Sequence, residues 1–350
     1  MAIGLDEVVA AETALSDVDG LAGRLIIAGH SLDDLAGRVS FEDVAAMLID
    51  GPVTASDIGA ARVEAYFRLV PNLEIVARLP VFDAMRAAMA QLTDDTSRES
   101  ALALLAAPAV LVPALLRIRT GETPVAPDPK LGHAADAMRM LTGHRQANII
   151  GHALDTYLVT VSDHGLNAST FTARVVASTE AGLTSSILAA LGALKGPLHG
   201  GAPGPVLDMI DAVGTPGQAE AVLAAMLDRG ERLMGFGHRI YRVRDPRADA
   251  LKSALATLKR TERLHLALAV EQAALRLLRE RKPDRPLETN VEFFTALLLD
   301  GLGFPREAFT AVFAMGRVAG WIAHAQEQAK SGRLIRPKSR YIGPLPREAA

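Results

Sequence analysis

Three of the nine histidines stand beside glycine in stretches that do not read as the middle of a helix: His164 in "SDHGLNAST", His199 in "KGPLHGGAPG" and His238 in "MGFGHRIYRVRDPR". Glycine next to a polar side chain allows uncommon backbone angles and close approach of the main chain to a ligand. Arg239, Arg242, Arg244 and Arg247 crowd the last of these stretches, where Pro246 argues against a continuous charged helix. Arg317 stands alone in the apolar run "VFAMGRVAGWIA", among Phe313, Val318 and Trp321. A guanidinium in such surroundings requires an anionic partner, either a structural carboxylate or a bound ligand. One carboxylate, Glu292 in "PLETNVEFFTALLLDGLG", opens an apolar helical run with Thr289 or Asn290 as its cap. Its local reading is structural, because Thr289 and Glu292 fit the S/T-x-x-E capping box. Taken together, the histidines and arginines suggest a small multivalent carboxylate substrate, with His and Glu available for proton transfer near neutral pH. Spacing alone does not identify the reaction.

Other chemistries lack their patterns. His144 and His152 are eight positions apart rather than three or four, and no H-x-x-x-H pair occurs, so no metal is expected. "GFGHRI" lacks the third glycine of a dinucleotide loop, and neither a P-loop nor a G-x-S-x-G elbow is present. The chain contains no cysteine, which excludes disulfides, thiolate metal sites and a Cys nucleophile and fits a reducing compartment.

The elements that must position these residues read as helices. "SFEDVAAMLIDG" has a Ser40 cap and a terminal Gly51, and "QAEAVLAAMLDRG" ends at Gly230. "RADALKSALATLKRTERLHLALAVEQAALRLLRERK" reads as one long helical stretch, and "REAFTAVFAMGRVAGWIAHAQEQAKSG" as a helix running to Gly332. Strand character is confined to "RLIIAG" near the N-terminus, so the expected fold class is all-α. The clusters "GGAPGP" and "VGTPGQ" place a domain boundary near residue 202, and "DGLGFP" places another near 302. The expected arrangement is a large helical domain of residues 1–202 and 303–350, with a smaller helical domain, 203–302, inserted between them. No internal repeat or low-complexity tract is present.

A chain of 350 residues is long enough for two domains around a cleft. With 49% hydrophobic but 4% aromatic residues, its core must be built mainly from Ala, Leu and Val, which suits closely packed helices. A net charge of -3, from 37 basic and 40 acidic residues, gives no global attraction to nucleic acid or to an anionic membrane. The apolar run "SALALLAAPAVLVPALL", between Glu99 and Arg117, carries Pro108 and Pro113 and reads as a buried, kinked helix rather than a membrane span. "GRVAG" (Gly316 to Gly320) reads as close helix packing, within the chain or across a dimer. The first twenty residues are acidic, with neither a basic segment nor an uninterrupted apolar one, and the expected location is cytoplasmic.

"GFGHRIYRVRDPR" resembles the signature of the citrate synthase family at every constrained position from Gly235 to Arg247. The resemblance extends to "GLDEVVAAETALSDVDG", "LNASTFTARVVAST", "LKGPLHGGA", "VEFFTALLLDGLGFP", "AMGRVAGWIAHAQEQ" and "RLIRPKS", and is loose between about 55 and 130. It implies an all-α homodimer whose domains close over oxaloacetate and acetyl-CoA, the latter a substrate, with no cofactor. By motif position it implies that His164, His238, Arg247 and Arg317 bind oxaloacetate. It further implies that Arg336 reaches the partner's site and that Arg242 meets coenzyme A phosphate. His199, His238 and Glu292 form the implied catalytic set. The function the resemblance implies is that of a citrate synthase, condensing acetyl-CoA with oxaloacetate and hydrolysing citryl-CoA to citrate and CoA; the alternatives are a 2-methylcitrate synthase using propionyl-CoA and a ligand-binding or regulatory homologue with weakened catalysis.

Four positions depart from the family's usual pattern. The N-V-D segment reads "NVE", so the implied base at 292 is one methylene longer, and a shift of about 1 Å can cost on the order of a hundredfold in rate. Gly165 replaces a usual Glu, Pro203 a usual Asn, and "IIAGH" has Ala28 and His30 where many relatives have R-G-Y.

Overall fold

The computed structural model describes residues 8–197, 199–200, 203–238, 240–258, 262–285 and 287–344. The strand-like run is β2 (Arg24–Ile27), paired antiparallel with β1 (Ser16–Asp19) and β3 (His30–Ser31) in the order β1-β2-β3. The register sets Ser16 opposite Ile27 and Asp19 opposite Arg24. Leu25 and Ile27 point into the core, which gives this small sheet its buried face.

Helices make up the rest. The N-terminal part holds α1 (Leu32–Leu35), α2 (Phe41–Leu48), α3 (Ala55–Leu69), α4 (Val81–Met89) and α5 (Arg98–Arg119). The middle continues with α6 (His133–Thr142), α7 (Asn148–Val161), α8 (Ala168–Ala177), α9 (Leu183–Leu194), α10 (Pro203–Val213) and α11 (Ala219–Asp228). The chain ends with α12 (Pro246–Thr257), α13 (Glu262–Arg281), α14 (Val291–Gly301) and α15 (Phe309–Ser331). Ser40 caps α2 with a reciprocal capping box to Asp43, and Thr54 does the same for α3 with Asp57.

The expected single helix from Arg247 to Lys282 is instead two, α12 and α13. Thr257 turns its hydroxyl back onto the Ala254 carbonyl at 2.6 Å, and Leu258 leaves the helix in an extended conformation. Leu255 and Leu258 both come close to Gly301 at the end of α14, so packing on that helix accompanies a break that local propensity does not signal.

The apolar run with two prolines lies inside α5, which is long and apolar enough to cross a membrane but has 83% of its apolar window buried within the protein. It packs against α3, α4, α6 and α15. α15 also packs on α7, α8 and α9, and this is where its two glycines are required. A Cβ at Gly316 would lie 2.6 Å from Val161 Cγ2, and one at Gly320 would overlap the Ser162 carbonyl oxygen. Gly320 N–H donates to that oxygen at 3.1 Å. The small-residue motif therefore serves packing within the chain, of α15 against the end of α7. α12 lies on α14 and α7, and α11 on α13.

Candidate active site

The three glycine-flanked histidines all lie outside helices: His164 follows α7, His199 follows α9 and His238 precedes α12. The loop carrying His238 is pinned to the start of α14. Gly237 N–H donates to the Glu288 carbonyl at 2.7 Å, Asn290 N–H to that of Gly235 at 2.9 Å, and Asn290 Nδ2 to that of Gly237 at 2.8 Å. Gly235 and Gly237 adopt φ of 85° and 81°, and a side chain at either would meet Phe293 or Leu287. "GFG" and "ETN" thus form one structural unit, which brings His238 and Glu292 into the same neighbourhood.

Asp245 completes this unit. It caps α12 by accepting Arg247 N–H at 3.0 Å and grips the Arg247 guanidinium at Nε (3.0 Å) and Nη2 (2.8 Å). Its second oxygen accepts Val291 N–H at 3.1 Å, so one buried carboxylate ties together the starts of α12 and α14. His238 Nδ1 accepts two backbone donors, Ile240 N–H at 3.0 Å and Tyr241 N–H at 3.1 Å. That nitrogen therefore holds the lone pair, and the proton of the neutral ring belongs on Nε2. Arg247 Nη2 lies 3.2 Å from the same Nε2. Nη2 spends one hydrogen on Asp245 and points the other at this nitrogen, so a ligand oxygen accepting from both groups would take the place of that contact. His164 faces the pair, its Nε2 3.2 Å from the Tyr241 hydroxyl and its ring centroid 5.8 Å from that of His238.

On the other side, α15 presents Arg317, Trp321 and His324 at spacings of four and three along one face. Arg317 lies over the Phe313 ring at 4.7 Å and donates Nε–H to the Val161 carbonyl at 2.6 Å, its one hydrogen bond among the described residues. Trp321 Nε1–H donates to Ser169 Oγ at 3.1 Å, and His199 Nε2 lies 2.8 Å from the same hydroxyl. Beneath Arg317, Asp163 receives Ser16 Oγ–H at 2.5 Å and pairs with His324 at 3.0 Å. Burial pushes the Asp163 carboxyl up, but His324, Arg317 and Ser16 outweigh it and hold the group below the usual carboxylate range.

The electrostatics set the protonation states. Burial, with Arg247 beside it, pushes His238 down to about 4; burial, with Arg317, does the same to His199. His164 is driven well below its ordinary value by burial and by Arg247, Arg317 and His238. All three rings are neutral at pH 7. Glu292 moves the other way: burial pushes its carboxyl up to about 7, assisted by Asp245 and opposed by Arg247 and by a hydrogen bond from Asn290. Arg317 is lowered to about 10 by burial, which Asp163 resists.

The capping-box reading of Glu292 is corrected. Asn290 is the cap of α14, its Oδ1 accepting Glu292 N–H at 3.0 Å, while the Thr289 hydroxyl turns away to donate to Glu271 Oε1 at 2.9 Å. The Glu292 side chain is thereby free of a capping duty. Arg242 is exposed, with its backbone N–H bonded to the Gly20 carbonyl. Arg336 is exposed in the segment after α15. Arg239 and the Pro203 side chain lie outside the described residues. Gly165 has a φ of 57°, and a Cβ there would lie 3.2 Å from Val18 Cγ2. Ala28 takes a positive φ of 48° and His30 lies exposed in β3. The motif reading passed over Asp245, Tyr241, Ser169, Asp163 and His324, although the i, i+4, i+7 spacing of Arg317, Trp321 and His324 signalled a shared face.

A family model described as "Citrate synthase, C-terminal domain" matches residues 4–338. The chain belongs to the citrate synthase family. A relative from Mycobacterium tuberculosis, provisionally named citrate synthase 2, is 41% identical over 98% of this chain and 93% of its own. Another protein of that organism, named 2-methylcitrate synthase, is 36% identical over 97% of this chain and 90% of its own. Among solved structures, citrate synthase from Thermotoga maritima superposes with a TM-score of 0.86 at 31% identity, covering 99% of this chain and 97% of that one. The all-α fold is that of the citrate synthases, and the chain is an acyltransferase of the citrate synthase type, which converts acyl to alkyl on transfer.

Proposed function

We propose that the chain condenses acetyl-CoA with oxaloacetate and hydrolyses the resulting citryl-CoA to citrate and CoA. The observation that supports this most is the 3.2 Å approach of Arg247 Nη2 to His238 Nε2, with the arginine held by Asp245 and the imidazole by two backbone N–H groups. A ketone oxygen flanked by a carboxylate, as in oxaloacetate, accepts from both. Arg317, with Nη1 and Nη2 unengaged among the described residues, and His164 supply the charge and donors for the remaining carboxylate oxygens.

In this reading Glu292 is the base that removes a methyl proton from the thioester, its raised pKa suiting it to the task near neutral pH. His199 donates to the developing enolate oxygen. It does so from Nδ1 when the single Ser169 proton goes to Nε2 rather than to Asn167 Oδ1, which lies 2.8 Å from the same hydroxyl, and its low pKa keeps it a neutral donor. The enolate carbon attacks the ketone carbon, the ketone electron pair moves onto oxygen, and that oxygen takes the His238 proton. Water then cleaves the thioester. Arg242 contributes to coenzyme A phosphate, and Arg336 reaches the site of a second copy in a homodimer acting in the cytoplasm. No cofactor takes part. A solved ternary complex of citrate synthase from Thermoplasma acidophilum with carboxymethyl coenzyme A and oxaloacetate, at 27% identity and a TM-score of 0.86, is consistent with this substrate pair.

The relative named 2-methylcitrate synthase motivates propionyl-CoA as a second acyl donor. One methylene in an apolar pocket discriminates by only about 1–3 kcal/mol, so kcat/KM must be compared for the two thioesters in a CoA-release assay with oxaloacetate. A higher value for acetyl-CoA supports the proposal, and a higher value for propionyl-CoA reverses the order. Oxaloacetate binding by calorimetry without CoA release from either thioester would instead favour a non-catalytic homologue.

A further inference from the structure

The turn between β1 and β2 touches the loop that carries the catalytic histidine. The Gly20 carbonyl accepts Arg242 N–H at 2.8 Å. A Cβ built at Gly20 would overlap the Ile240 carbonyl oxygen and lie 2.8 Å from both its carbonyl carbon and Ile240 Cγ2. Gly20 is not in the left-handed region, so close approach alone calls for glycine. Gly23, in the same turn, meets Val243 in the same way, its would-be Cβ 2.8 Å from Val243 Cγ2. The turn is held in shape by Asp19, whose Oδ1 accepts the N–H groups of Leu21 (3.0 Å) and Ala22 (2.9 Å).

The body of the hairpin is fastened to the opposite wall. Ser16 donates to Asp163 and accepts Gly165 N–H at 2.9 Å, on either side of His164, while Val18 packs over Gly165. One hairpin therefore bonds at its base to the His164 loop and at its tip to the segment Ile240–Arg244, between His238 and Arg247. The hairpin falls in the 1–202 stretch and the His238 loop in the 203–302 stretch.

We propose that this hairpin is a latch across the substrate cleft, and that Gly20 is a positioning residue that lets the His238 loop seat against His164 when the cleft closes on substrate. The proposal rests on the condensation reading above. A Gly20 side chain holds the loop away, so that His238 and Tyr241 lose register with His164 even though Gly20 touches no substrate.

The test compares the full-length protein with Gly20→Ala and with Asp19→Ala, the latter loosening the exposed turn without placing an atom against Ile240. Both variants are expected to retain the parent's helical circular dichroism. Gly20→Ala is expected to lower kcat by at least about tenfold, well beyond its change in KM for acetyl-CoA, with Asp19→Ala intermediate. Hydrogen exchange at the Arg242 amide reads the latch without turnover. It is expected to be slow in the parent, slower still with oxaloacetate, and fast in Gly20→Ala with or without it. Parental kcat together with parental Arg242 protection in Gly20→Ala overturns the latch, as does free exchange at that amide in the parent. Should Gly20→Ala fail to fold, Asp19→Ala decides alone: fast Arg242 exchange with reduced kcat supports the latch, and parental values overturn it. If the parent itself fails to condense either thioester, the functional reading falls while the exchange measurement still decides the contact.

Discussion

In the proposed reaction Glu292 is the base, and its environment makes two claims that can be separated. As a base it must be ionised, so kcat is expected to rise through an acid limb near pH 7. Glu292→Gln is expected to lower kcat by about 10²–10⁴-fold with oxaloacetate affinity little changed, measured by steady-state kinetics and calorimetry. Retention of full activity would leave Glu292 a buried carboxylate without a catalytic role. As a buried acid its folded-state pKa, about 7, lies above its ordinary value. The stability it contributes is therefore present below pH 4.5 and lost as pH rises through 7, so Glu292→Gln should melt higher than the parent at pH 8 and alike at pH 4. His199 and His238 have the opposite sign. With folded pKa values near 4, they contribute stability above pH 6.5 that is lost as pH falls towards 4. In the proposed reaction Ser169 acts through His199, which its hydroxyl contacts at 2.8 Å. Ser169→Ala is expected to lower kcat by at least about tenfold, short of the ~10²–10³ that loss of an oxyanion donor costs, and to lower the melting temperature, because the buried Trp321 Nε1–H loses its acceptor at a cost of about 1–3 kcal/mol.

At the scale of elements, the site depends on where helices begin and how closely they approach. Asn290 caps α14 and also donates to the Gly237 carbonyl, so it joins two sequence motifs that lie some fifty residues apart. Asn290→Ala removes both bonds. About 1 kcal/mol of stability is expected to go with the cap, and a larger share of activity with the misplaced His238 loop, read from a melt and an assay on the same preparation. The contact of α15 with α7 is tighter still. Gly320→Ala places a methyl against the Ser162 carbonyl and 2.7 Å from Asp163 Oδ1, directly behind Arg317. Overpacking of this kind costs about 1–3 kcal/mol, so a lowered unfolding midpoint and weakened oxaloacetate binding are expected together. A melting temperature equal to the parent's would show that α15 can slide without penalty. The helical content behind these contacts was legible from periodicity and capping residues, as at Ser40 and Gly332. The division between α12 and α13 was not, because "LATLKRTER" carries no proline or glycine and the break accompanies leucines packing on Gly301.

At the scale of the whole molecule, Arg336 lies exposed beyond α15. The proposed homodimer, in which each chain lends this arginine to the other, is open to direct test. Sedimentation is expected to give a dimer, and Arg336→Ala to raise KM for oxaloacetate with an unchanged melt; a monomer with full activity would remove the partner from the site. The sequence by itself determined the helical class, the types of chemistry-bearing residue and the family, since these reside in short-range periodicity and in motifs a few residues long. It could not determine that Asp245 would reach Val291, 46 positions away, or that His324 would pair with Asp163 across 161. Nor could it choose Asn290 over Thr289 as the cap, because Thr289 is drawn off by Glu271 from another helix. Such pairings are decided when buried polar groups must find partners among whatever side chains packing brings within reach, and only the tertiary structure sets that neighbourhood.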